Sequence, residues 1–163
     1  MTPHNQHVLD NVKTKFGNTI LDAHEFRDEL TIVVPKEKIV AVCDFLKNEQ
    51  GLQFDLLIDV CGIDMASPGN RFGVVYNLYS LKSKQRIRLK TFTEEENPSV
   101  PTVTSVWATA NWHEREAYDM FGINFDGHPD LRRMYMPEEF EYYPLRKDFP
   151  LMGIPGSMPL PKK

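Results

Sequence analysis

Three observations predict an α+β fold, a mixed β-sheet with packed helices followed by an extended proline-rich C-terminal tail. Apolar residues recur at helical spacing over residues 5–16 and again over 39–46. Strand-like runs, one of them cleanly alternating, fill much of the chain between residues 18 and 93. Seven of the twelve prolines then crowd into the segment from Gly127 to Lys163, where neither a continuous helix nor a central strand could tolerate them. A chain of 163 residues is long enough for one domain with a real core plus an appendage. The division that follows is a compact α/β domain over 1–125 and an extended, partner-binding tail over 126–163.

Taken in order, Val8, Leu9, Val12 and Phe16 share one face of a first helix, and Gly17 stands where the residue after a helix must turn left-handed. "NTILDAHEFRDELTIVVP" supplies strand-forming residues up to Pro35. Ile39, Val40, Cys43 and Leu46 then line a second helix that closes near Gly51. "LQFDLLIDVCGID" is apolar enough to be a strand buried on much of both faces. "RFGVVYNLYSL" and "QRIRLKTF" flank the polar "KSKQ" and form a hairpin, with Ile87, Leu89 and Thr91 on one face of the second arm and Arg86, Arg88 and Lys90 on the other. The acidic "TEEEN" is a solvated turn.

The tail lacks the polar composition of a disordered chain. It carries Met134, Tyr135, Met136, Phe140, Tyr142, Tyr143, Phe149, Leu151 and Met152, which something must cover. The economical expectation is that it lies along another protein, the alternative being that it wraps its own domain.

Composition narrows the function classes. A net charge of -4 gives no electrostatic reason to expect a nucleic-acid partner. The only cysteines, Cys43 and Cys61, form no CxxC pair, so the chain's own thiols cannot hold a zinc ribbon or an iron-sulfur cluster. The first twenty residues contain no apolar run and no Arg, against a secretory or transit peptide, and no window reaches the roughly 18 apolar residues of a membrane span. Neither GxSxG, GxGxxG nor the P-loop occurs.

The densest cluster of chemistry is "NWHEREAYDMFGI", Asn111 to Ile123. Asn111 as N-cap with Glu114 three residues on makes a capping-box pattern, predicting a helix from Trp112 to Gly122 in which Glu114 bonds back to the Asn111 amide. Arg115 and Asp119 fall together on the polar side as an i, i+4 pair. "HEREA" starts like a zinc-protease helix, but Ala117 replaces the second His and His128 lies beyond the helix. Glu114 and Glu116 diverge by about 160° on a helix, too far for an acid/base pair on one bond. A helix with an ion-pair face beside aromatics remains, a structural joint.

"ANWHEREAYDMFGINFDGHPDLRRMYMPEEFEYYPLRKDFPL" resembles the signature region of the thirty-kilodalton (C) subunit of bacterial proton-pumping NADH:quinone oxidoreductase, respiratory complex I. "EREAYDMFGI", "GHPDLRR", "MPE" and "PLRKDFPL" stand in the family's order and spacing, and the upstream "LLIDVCGID", "RFGVVYNLYSL" and "VPTVTSVWATANW" extend the likeness over residues 28–153. Phe140 and Tyr142-Tyr143 depart from it, standing where members commonly carry Trp and then Gly-His. The resemblance implies a hydrophilic peripheral-arm subunit of a translocase, itself free of cofactors. FMN and the iron-sulfur clusters would sit in partner subunits, chiefly with the large quinone-site subunit as neighbour, on the cytoplasmic side of the inner membrane and without a membrane span. It further implies that Glu114, Arg115, Glu116, Asp119, His128, Arg132, Arg133, Arg146 and Asp148 are assembly residues, with no catalytic, cofactor or metal role. The same domain in a membrane-bound hydrogenase or F420-type complex is the alternative within the superfamily, and a free-standing acidic enzyme using Glu114, Glu116 and His128 the alternative outside it.

Overall fold

The computed structural model describes residues 1–67 and 69–156, with the backbone alone at Asn18. Helix α1 (Pro3–Phe16) begins with Pro at its first position and with the Thr2 hydroxyl accepting the Asn5 N–H, and it ends where Gly17 takes φ 58°. Strands β1 (Asp22–Phe26) and β2 (Glu29–Val33) follow, then α2 (Ile39–Asn48), β3 (Leu56–Asp64), β4 (Phe72–Ser80), β5 (Gln85–Thr93) and the short β6 (Ser99–Pro101). Helix α3 (Ala110–Phe121) and strand β7 (Asn124–Asp126) follow, and short 3-10 turns lie at Gly17–Thr19 and Lys36–Lys38.

Five strands form one mixed sheet in the order β1-β2-β5-β4-β3, antiparallel except where β2 runs parallel to β5. The α+β class expected from the sequence is therefore the architecture observed, and the expected tail follows it without helix or strand from Gly127 to Gly156, its residues 157–163 lying outside the described ones. Val8, Leu9 and Val12 of α1 and Val42, Cys43 and Leu46 of α2 share a core with Leu30, Ile32, Tyr76, Leu78, Ile87 and Leu89 of the sheet. In β5 the alternation holds as read: Ile87, Leu89 and Thr91 are buried, and Arg86, Arg88 and Lys90 face outward.

The sequence reading and the structure differ at two strands. The run before Pro35 is not one strand but the β1–β2 hairpin. Its turn residues Arg27 (φ 51°) and Asp28 (φ 64°) are both left-handed, a conformation normally signalled by Asn or Gly. The Asn5 side chain, fully buried, holds that turn by donating to the Asp28 carbonyl at 2.9 Å. β3, expected to be buried on both faces, buries only one. A bulge between Leu57 and Asp59 brings Leu57 and Val60 to the same side and leaves Leu56 and Ile58 on the surface.

Beside the main sheet, β6 and β7 pair in parallel and bracket α3. That small crossover fixes α3 against β3. At Gly62 a Cβ would come within 2.5 Å of the Phe121 ring, so only glycine lets the helix approach this closely.

Candidate functional site

The cluster centred on α3 folds differently from the capping-box expectation. The helix starts earlier than Trp112, at Ala110, and Thr109 before it caps with no side chain. The Asn111 amide is already bonded to the Ala108 carbonyl (3.3 Å), and the chain enters α3 through a run of tight turns. Glu114 therefore does not reach back to Asn111. Its carboxylate accepts the Val103 N–H at 2.8 Å and the Thr102 hydroxyl, tying the loop after β6 to the helix. His128 lies 3.9 Å away, its Nδ1 accepting the Asp130 N–H (3.0 Å) and its Nε2 placed 3.2 Å from the Asn111 carbonyl, which assigns the proton to Nε2. Both side chains are fully buried. Burial raises the Glu114 carboxyl to about 7, against the pull of its two hydrogen bonds, and burial lowers the His128 imidazole. Glu116 points to solvent, so the three residues of the free-enzyme alternative do not converge on one open surface.

Arg115 and Asp119, expected to pair with each other on the polar side of the helix, are both buried and each binds the tail instead. Arg115 donates to the carbonyls of Arg132 (3.0 Å) and Arg133 (3.3 Å) and lies over the Trp112 ring at 5.0 Å. Asp119 accepts three consecutive backbone N–H groups on one oxygen, from Met134 (3.0 Å), Tyr135 (2.7 Å) and Met136 (3.0 Å), and the Arg133 guanidinium on the other (2.7 Å). Burial alone would push this carboxyl up, but the converging donors hold it below the ordinary carboxylate range. The two ends of an i, i+4 pair thus grip opposite poles of the same bend: the cation takes its carbonyls, the anion its N–H groups. A proline-rich segment that cannot satisfy its own backbone is satisfied by helix side chains.

Gly122 closes α3 with φ 73°, and its N–H bonds back to the Tyr118 carbonyl. Over it folds the next part of the tail. Leu145 N–H donates to the Met120 carbonyl (3.1 Å) and Arg146 Nε to the Phe121 carbonyl (2.6 Å), so the free carbonyls at the negative end of the helix receive an amide and a cation. Arg146 is layered between the rings of Phe72 (4.7 Å) and Tyr143 (4.3 Å). Arg133 lies over Tyr143 (5.2 Å) and Phe140 (6.0 Å). Phe140 and Tyr143, two of the departures from the family pattern, thus serve as aromatic platforms for the arginines that hold the tail.

A second anchor escaped the sequence reading. Arg71, just before β4, gives Nε (3.1 Å) and Nη2 (3.0 Å) to Asp64 at the end of β3, and also reaches Glu95 (2.7 Å) and Asp148 (2.8 Å). Asp64 accepts in addition the N–H groups of Ala66 and of Lys147, both at 2.8 Å. Its burial opposes ionisation, yet Arg71 and these amides bring the carboxyl down to about 2. Nothing local in "LLIDVCGID" or "RFGVVYNLYSL" marks this pairing, because the residues meet only when the β3–β4 hairpin forms and the tail returns. Among the expected assembly residues, Glu114, Arg115, Asp119, His128, Arg133, Arg146 and Asp148 all bond within this chain; Arg132 pairs with its neighbour Asp130 at 2.8 Å on the surface. Among the described residues no three His, Cys, Asp or Glu side chains converge as a metal site would require.

Comparison with known proteins gives this arrangement a family. Residues 32–155 match the model of the respiratory-chain NADH dehydrogenase 30 kDa subunit. A C subunit of NADH-quinone oxidoreductase from Rhizobium meliloti is 54% identical over 143 residues, covering 88% of this chain and 78% of its own. The C subunit from Geotalea uraniireducens is 48% identical over 149 residues, covering 91% and 90%. A trypsin-resistant fragment (1–134) of Nqo5 superposes with a TM-score of 0.64 at 33% identity, over 78% of this chain and 99% of the fragment. An archaeal membrane-bound sulfane sulfur reductase complex contains a chain of the same fold, with a TM-score of 0.73 at 24% identity over 90% of this chain and 86% of that one. A chain matched over most of its length by that model, and half identical to C subunits of NADH-quinone oxidoreductase, belongs to the family of the 30 kDa subunit of respiratory-chain NADH dehydrogenase.

Proposed function

We propose that the chain is a peripheral-arm subunit of an NADH:quinone oxidoreductase, without a redox centre of its own, that docks on the large quinone-site subunit. In that position it holds the subunits bearing FMN and iron-sulfur clusters in register, on the cytoplasmic side of the inner membrane, while the complex couples electron transfer to proton translocation. The family supports membership of the complex. The observation that supports docking is the distribution of polar and apolar groups on α3 and the segment it grips. The charged side chains there are largely consumed within the chain, whereas Trp112 is 61% exposed, Leu151 101% and Met152 94%. Large apolar groups left on a surface by an otherwise satisfied framework mark a contact, and Trp and Met are enriched at interfaces.

In this reading the assembly residues divide the work. Glu114, Arg115, Asp119, His128, Arg133 and Arg146 act from inside by giving the tail one shape, and Glu116, Arg132 and Asp148 meet the partner directly. No helix among the described residues is long and apolar enough to cross a membrane, so attachment would run through other subunits. The test is gentle purification of the native chain. Co-purification with iron-sulfur subunits and NADH-oxidising activity is expected, and a partner set typical of a hydrogenase, or turnover by the chain alone, would refute it.

A further inference from the structure

We infer that the outer edge of β3 is a strand-addition site, taken by an extended, basic segment of the partner subunit. This rests on the docked-subunit reading above and specifies how the contact is made. β3 ends the main sheet, paired on one side only with β4. Among the described residues, no backbone bond outside that ladder uses the chain from Leu56 to Asp64. Its outward N–H and C=O groups are therefore a row of unfilled positions.

The other edge strand, β1, is guarded: it has five residues, and Asp22 and Glu25 place charge along it. β3 has nine residues, and beyond its bulge it runs regularly from Asp59 to Asp64. Leu56, Ile58 and Cys61 are exposed along it, and it contains no Lys, Arg or Pro. Along this stretch Asp59 is the one charge left at the surface, Asp64 being buried against Arg71.

A cavity of about 250 Å³ lies here, lined by Asp59, Val60, Cys61, Gly62 and, from α3, Ala117 and Phe121. Consecutive residues of β3 point to opposite faces of the sheet, so a space touched by all four from Asp59 to Gly62 must run along the strand's edge. Its floor is apolar. Its rim carries Glu116 and Asp59, the latter 3.3 Å from His113 and accepting the Cys61 thiol at 2.6 Å. Arg88, the nearest strong cation on the sheet, is already held by Glu29 and Asn77. An added strand would thus meet free backbone partners, a pocket for one apolar side chain, and two carboxylates for a Lys or Arg. The close approach of α3 at Gly62, together with Leu145 of the tail, builds the pocket wall.

Backbone hydrogen exchange read residue by residue over 59–64, in the free chain and in the purified complex, tests this directly. Strand addition should slow the outward-facing amides by about tenfold or more in the complex. A photoreactive group attached at Cys61, the exposed one of the two thiols, should crosslink to an extended stretch of the partner carrying Lys or Arg. Glu116→Lys, at an exposed position, should keep the circular dichroism of the chain while lowering its recovery in the complex severalfold. If the chain assembles but amides 59–64 exchange as in the free chain, or if Cys61 crosslinks to a second copy of this chain, the edge assignment is wrong while the subunit reading stands. If the chain does not co-purify with the complex at all, both fall together.

Discussion

Removing the Asp119 carboxylate should release the tail from α3. Asp119→Ala removes the carboxylate from four donors at once, the N–H groups of Met134, Tyr135 and Met136 and the Arg133 guanidinium, which keeps only its longer contacts to the Asp119 (3.3 Å) and Tyr142 (3.4 Å) carbonyls. Arg133 is only 10% exposed, so it keeps little access to water unless the segment moves. Breaking one side of a buried ion pair costs about 3 to 5 kcal/mol. The amides can partly recover by turning to solvent, which makes the lower half of that range the expected loss. Against a typical domain stability of about 5 to 15 kcal/mol, such a loss is large enough to read by urea denaturation. Asp119→Asn separates the contributions. Its oxygen can still accept the three amides, but its NH2 then faces Arg133, donor against donor, so a loss of about 1.5 to 3 kcal/mol is expected, the worth of one hydrogen bond to a charged group. Hydrogen exchange over residues 133–136 should rise in the Ala variant and stay near native in the Asn variant. A loss below about 1 kcal/mol for Asp119→Ala, with unchanged exchange in the tail, would refute the clamp.

Gly122→Ala should destabilise by more than about 1 kcal/mol, because φ is 73° and the new Cβ would sit 2.5 Å from Arg146 and 2.6 Å from Tyr143; near-native thermal stability would contradict that packing. Glu114 gives a pH signature of unusual sign. Its carboxyl is raised from 4.5 to about 7, so below about 4.5 both folded and unfolded chains hold the proton, and as pH climbs to 7 only the folded chain still does. Stability should therefore fall across that window, by about 3 kcal/mol in all, and Glu114→Gln should flatten the slope in urea titrations at fixed pH values. Asp64, lowered to about 2, contributes in the opposite sense: its share is present above its unfolded value of 3.8 and is lost as pH drops toward 2, so Asp64→Asn should blunt acid unfolding. Cutting the chain after Pro150 should cost nothing measurable, whereas cutting after Phe125 removes every donor to Asp119 and should lower the melting temperature and loosen α3.

Periodic patterns were the part of this structure legible in the sequence. The faces of α1 and α2, the alternation of β5 and the turn at Gly122 all followed from spacing, because a helix or strand reports its buried side through neighbours two to four residues away. Arg27-Asp28 defeated this reading, since nothing local announces two left-handed residues there, and the β1–β2 hairpin looked like one strand. Glu114 was misassigned for a related reason: the capping box is a local pattern, and a loop amide eleven residues upstream outcompeted it. At Arg115 and Asp119 the spacing was read correctly and the partner wrongly. Helical periodicity places two charges side by side but cannot say that a backbone bend will arrive between them. Arg71 and Asp64 gave no periodic signal: they meet across a hairpin, seven residues apart, and Asp64 finds the Lys147 amide only 83 residues on.

That separation has a consequence for synthesis. As the chain leaves the ribosome, Asp119 waits only 14 to 17 residues for its partners, about one to three seconds at bacterial elongation rates. Asp64 already has Arg71 soon after β3 emerges, yet it receives the Lys147 amide only after 83 more residues, about 4 to 17 seconds later. From the completion of β5 until then the sheet lacks that amide at its Asp64 corner, and Arg146, which will lie over Phe72, has not yet been translated. A nascent chain stalled between Phe125 and Lys147 would be the form most in need of a chaperone, and slowing translation there should raise its aggregation more than slowing it anywhere upstream.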